Sequence, residues 1–152
     1  MNRKKLSRLF FLLVVLFPAI VYAQDPNVHY MIGKSQADVV KTYGAPLHKD
    51  DSNPDMICMF YQKTDSRMIF VLGSQGVYQA ESYHSYGDMK KAQSELDKFV
   101  AESVSNGFTS KKISSTAYEL HKEGINANVE LHENQFSHKY EVSIKAHKSE
   151  ES

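Results

Sequence analysis

The chain has 152 residues, a one-domain length, and its 18 Lys and Arg balance 18 Asp and Glu. So even a balance supplies no basic face for nucleic acid or an anionic membrane, and the single cysteine excludes an internal disulfide.

Arg3, Lys4, Lys5 and Arg8 precede an apolar run from Leu9 to Val21, and Val21-Tyr22-Ala23 suits a cleavage site before Gln24. The pattern predicts a cleaved signal peptide over 1–23 and hence an exported protein, periplasmic or secreted. The apolar run is short for a membrane span, so no stable membrane anchor is expected after cleavage. The leader holds four of the 18 basic residues and none of the acids, leaving 14 Lys and Arg against 18 Asp and Glu, a formal charge of −4. Residues 24–31 are polar and contain Pro26, and read as a mobile lead-in.

A short helix follows. Ser35 is an N-cap with Asp38 at capping-box spacing, Val39, Val40 and Tyr43 supply an apolar stripe, and Gly44 and Pro46 end it. Residues 47–55 are rich in Asp, Asn and Pro and read as a loop; three acids there lack the glycine and terminal glutamate of an EF-hand. Strands are predicted over Met56–Gln62, Arg67–Leu72 and Val77 to about His84, with a tight turn at Gly73-Ser74-Gln75-Gly76. The first two are apolar on both faces, which predicts a central place in the sheet. Ser85-Tyr86-Gly87-Asp88 opens a long amphipathic helix on Ala92, Leu96, Phe99 and Val100, closed by Asn106-Gly107. Three strands complete the chain: Lys112 to His121, then two with strict alternation, Ile125/Ala127/Val129/Leu131 and Tyr140/Val142/Ile144/Ala146.

The expected architecture is α+β: residues 32–148 as one domain of two like units, 32–84 and 85–148, in the order αβββαβββ. An antiparallel sheet of about six strands carries two helices on one face, and 149–152 is a charged tail.

No constellation carries chemistry. The chain has no Gly-x-Ser-x-Gly elbow, P-loop or Gly-x-Gly-x-x-Gly motif. Seven histidines include His132 and His138 around one turn and His121 and His147 on adjoining strands, but they alternate with polar residues and lack metal-ligand spacing. Hence no catalytic, cofactor-binding or metal residue is assigned, and the expectation is a protein that is not an enzyme. Cys58, in an apolar strand, reads as a small buried hydrophobe.

Aromatics are the notable excess: 9 Tyr and 8 Phe without Trp. Tyrosine suits interfaces because its ring buries area while its hydroxyl stays wet. Phe60, Tyr61, Tyr78 and Tyr83 are therefore the candidate partner surface, for a protein partner or a homodimer. The expected function is a protein-binding or envelope-associated module. The alternatives are a small-molecule or lipid binder with a cleft between sheet and helices, and a metal-dependent hydrolase.

Gly33-Lys34-Ser35, Val39-Val40, Tyr43-Gly44-Ala45-Pro46, Phe60-Tyr61, Phe70-Val71, Gly73 and Gly76-Val77 together resemble the pattern of SmpA/OmlA-type outer-membrane assembly lipoproteins. They also resemble the related fold of beta-lactamase-inhibitor proteins. The resemblance covers about residues 32–77 and implies a small exported α+β module that binds proteins and has no catalytic residues. The lipid-anchoring cysteine of the lipoproteins is absent. The whole chain is also similar to small secreted proteins of Bacteroidota.

Overall fold

The computed structural model describes residues 27–149. The expected signal peptide and the last three residues of the charged tail lie outside that range. Residues 28–31, expected within a mobile lead-in, form a 3-10 turn (Val28–Met31) with Val28 and His29 fully buried.

Helix α1 (Gln36–Tyr43) begins as its sequence dictates. Asp38 N–H donates to Ser35 Oγ at 3.2 Å, and Ser35 N–H donates back to Asp38 Oδ2 at 3.0 Å, which closes a capping box. Gly44, at φ +83°, takes the left-handed exit that side chains disfavour. Four strands follow: β1 (His48–Asp50), β2 (Ile57–Lys63), β3 (Ser66–Gly73) and β4 (Gly76–Tyr86). Helix α2 (Met89–Ser105) leads to β5 (Thr109–Ser114), β6 (Ala117–Lys122), β7 (Ile125–Glu133) and β8 (Tyr140–Lys148).

All eight strands form one antiparallel sheet in the order β1-β2-β3-β4-β8-β7-β6-β5. Each unit is a helix followed by a four-strand meander that runs from a sheet edge to its middle, and the units meet where β4 pairs with β8. The expected α+β class holds, with eight strands in place of six and the order αββββαββββ. The extra strands are polar edges. β1 lies in the expected loop and is exposed throughout, so no apolar alternation marks it. The stretch read as one strand from Lys112 to His121 is a hairpin, turned at Ser114–Thr116, where Thr116 N–H donates to Ser114 Oγ at 3.1 Å. The middle of the sheet is β4 and β8, not the doubly apolar β2 and β3.

Ser85 belongs to β4, opposite Glu141, so it does not cap α2. Asp88 does, accepting from Lys91 N–H at 2.8 Å. Both helices bury one side on the same sheet face, where Val39 of α1 and Leu96 and Phe99 of α2 join Met59, Phe70, Val129 and Ile144 in a single core. Tyr61 ties α1 down by donating its hydroxyl to the Gly44 carbonyl at 3.0 Å.

Candidate interaction face

Strand alternation divides the sheet into a helix-covered face and an opposite one. The register puts Cys58 opposite Val71 and Phe60 opposite Ile69 on the opposite face. Continuing across, Ile69 faces Glu81, Arg67 faces Tyr83, Tyr83 faces Ser143, and Glu141 faces His132. The face is therefore apolar over β2 and β3 and polar over β4, β8 and β7.

In the apolar part Cys58, Phe60 and Ile69 are half-buried and Val71 is buried. His48 on the edge strand stacks on Phe60, with ring centroids 5.8 Å apart. Cys58 is a free thiol here rather than a core residue. In the polar part the Arg67 guanidinium lies 4.1 Å over the Tyr83 ring, and Lys145 Nζ approaches the same ring at 6.0 Å. Tyr83 donates its hydroxyl to Glu81 Oε2 at 2.5 Å, and Gln79 donates to Glu81 Oε1 at 2.9 Å. Burial, and then the Glu81 carboxylate, push the Tyr83 phenol up to about 12. Glu141 is only 6 % exposed and sits between Arg67 Nη2 at 3.9 Å and His132 Nε2 at 3.4 Å.

The four aromatics named from sequence do not share one surface. Phe60 and Tyr83 lie on this face. Tyr61 is on the other, buried in the core between Tyr43 and Phe70. Tyr78 sits at the irregular turn of register between β3 and β4, 36 % exposed. Alternation places neighbours such as Phe60 and Tyr61 on opposite faces, so a patch of consecutive aromatics cannot form on a strand. Arg67, Glu81, Glu141 and His132 escaped notice because each is an ordinary polar residue in its own strand; only cross-strand register unites them. Phe136, at the tip of the β7–β8 hairpin, is 99 % exposed. There Asn134 Oδ1 accepts from Phe136 N–H at 3.0 Å and from Ser137 N–H at 3.2 Å.

Among the described residues, no group of three or more His, Cys, Asp and Glu is placed to hold a metal ion. His121 meets Asn126 at 2.6 Å, and His138 and His132 each approach a single glutamate. The layer between helices and sheet is filled by Phe70, Leu96 and Phe99, each buried. No helix among the described residues is long and apolar enough to cross a membrane.

No family model and no curated protein matches the chain. Among solved structures it is similar to an extracellular protein containing an SCP domain from Bacillus anthracis, with a TM-score of 0.46 and 14% identity over 84% of this chain and 47% of that one. It is also similar to a cysteine-rich secretory protein from Staphylococcus aureus, with a TM-score of 0.45 and 11% identity over 79% of this chain and 45% of that one. The chain thus spans under half the length of either protein. These findings correct the resemblance to SmpA/OmlA-type lipoproteins and beta-lactamase-inhibitor proteins: no such family model matches, and these solved structures carry other descriptions. Several residues behind that resemblance, Ser35, Gly44, Gly73 and Gly76, are the cap, exit and turn of α1 and β3–β4, which any capped helix leading into a hairpin needs.

Proposed function

We propose that this is an exported, non-enzymatic module that binds a protein partner on the sheet face opposite its helices. The leader, with its basic start, apolar run and Val21-Tyr22-Ala23 cleavage site, supports export. The observation that carries the binding reading is the half-buried strip of Phe60 and Ile69 beside the Arg67–Tyr83 stack. An apolar centre beside a rim of arginine, tyrosine and paired charges has the composition of a protein interface.

A photo-activated cross-linking residue placed at Ile69, in cells that export the protein, tests this. The expected result is a discrete protein adduct that Phe60→Asp abolishes, with no adduct from the same probe at Lys98 on the outer side of α2. A ladder of equal adducts at both positions, or none at Ile69, overturns the reading. An adduct of twice the chain mass identifies the partner as a second copy.

A further inference from the structure

Residues 27–35 form a strap at one end of the sheet, packed against β4, β8 and α2. Two backbone bonds fasten its far end, Gly33 N–H to the Val77 carbonyl at 2.7 Å and Val77 N–H to the Lys34 carbonyl at 2.9 Å. Its near end is held by Val28 and His29, both fully buried. Ser103 Oγ donates to the Phe99 carbonyl at 2.9 Å, so in its 3.2 Å contact with His29 Nε2 the ring N–H is the donor. Nε2 therefore carries a proton. Its other nitrogen, Nδ1, is buried with no hydrogen-bond partner among the described residues. Phe99 and Phe108 meet the ring edge-on at 4.9 and 5.0 Å, and Tyr30 lies at 4.0 Å.

This cage tolerates a neutral ring and opposes a charged one, because an imidazolium needs an acceptor for its second N–H. We propose that the strap is an acid-released latch: protonation of His29 ejects residues 27–34 from the α2–β4–β8 junction while the sheet stays folded.

The charged groups around the junction reinforce this. Lys122 of β6 places Nζ 5.5 Å over the Phe108 ring, held by the Asn106 carbonyl at 3.0 Å, and among the described residues no carboxylate forms an ion pair with the imidazole. On α2, Glu102 reaches towards Lys98. On β8, Lys148 is bound to Gln75. The titratable His84 and Tyr86 of β4 lie seven and more residues beyond Val77, over 20 Å away along a strand that rises about 3.3 Å per residue. Burial, then Lys122, lowers the docked imidazole from 6.5 to about 4. In the released strap it returns to 6.5. The imidazole therefore favours the closed latch fully above pH 6.5 and opposes it increasingly as pH falls, the ratio of released to docked strap rising about 150-fold by pH 4 and levelling at about 300-fold below it. The strap opens before the domain because two backbone bonds hold it, against seven ladders in the sheet.

An amide NMR titration of the mature protein from pH 7 to pH 4 tests this. Signals of residues 28–34 are expected to change together with Phe99 and Phe108, while those of β2, β3, β6 and β7 persist. His29→Phe should abolish the transition, and Lys122→Met should move its midpoint to lower pH, because losing a repelling charge raises the docked imidazole towards its released value and weakens the drive for release. The latch is overturned by an identical transition in His29→Phe, by loss of the strand signals in the same step, or by the lack of any transition. Should His29→Phe not fold, a midpoint in Lys122→Met that is unchanged or higher overturns it equally.

Discussion

At Gly76 the backbone turns at φ +91° while passing so close to the strap that an added Cβ would lie 2.6 Å from the Lys34 carbonyl. Both conditions exclude a side chain, one through strain and the other through contact with an atom that Val77 N–H already holds in place. Gly76→Ala is expected to lower stability by about 2 kcal/mol or more, measurable by urea denaturation. Phe136 stands at the other extreme. It is almost wholly exposed, so Phe136→Asp should change stability by less than about 0.5 kcal/mol in the same assay, and any loss of partner binding would then report on the surface alone. The phenols of Tyr83 and Tyr86 are both pushed up to about 12, chiefly by burial and then by a glutamate, Glu81 and Glu95 respectively. In the unfolded chain they ionise near 10. The stability they contribute is complete below pH 10 and is lost as pH rises through 12. Ultraviolet titration should accordingly find two tyrosines that remain neutral at pH 11 in the folded protein and ionise on unfolding.

The elements differ in how openly the sequence announces them. The ends of helix α1 were legible, because its cap and exit are local chemistry: Ser35, Asp38 and Gly44 act on atoms within a few positions of themselves, whereas of the expected stripe Val39 is buried and Val40 is exposed. Strand β7 was legible because one buried face and one wet face impose strict alternation, and β8 because its apolar residues alternate, although the Glu141 and Ser143 between them are buried too. Edge strands β1 and β5 were not, since an exposed strand selects no apolar residue at all and only its hydrogen bonds define it. The start of α2 was misplaced by three residues because Ser85 and Asp88 both have capping chemistry, and the choice was made by the pairing of Ser85 with Glu141, 56 positions away in the chain. Asp88→Ala should therefore cost about 1 kcal/mol and Ser85→Ala should leave the helix terminus intact, as amide exchange in the first turn of α2 will tell. The candidate face was the least legible, because register across five strands builds it and no segment of sequence contains it. Phe60 and Tyr83 were named from the excess of aromatics, but the exposed Arg67 over the Tyr83 ring was not.

At the scale of the molecule, two helix-plus-meander units share one sheet and one core rather than standing as separate domains. Each unit alone would leave its innermost strand, β4 or β8, with an unpaired edge and an uncovered apolar row. A chain ending after Gly87 is expected to lack a cooperative unfolding transition and to aggregate, while co-expression with residues 88–149 should restore one, as calorimetry and sedimentation can show. The join between β4 and β8 also has a meaning in time. Its nearest partners, Tyr86 and Tyr140, are 54 positions apart, and its farthest, Gln79 and His147, are 68 apart. Every other ladder joins strands that follow one another directly in the chain. Closing the central ladder is therefore the slow step of folding, since a long loop must be ordered before the contacts that reward it form. For a chain that crosses a membrane from its amino end, β4 emerges well before β8. Until the last strand arrives it must stand with a bare edge, and that interval is when the protein most needs a chaperone on the far side.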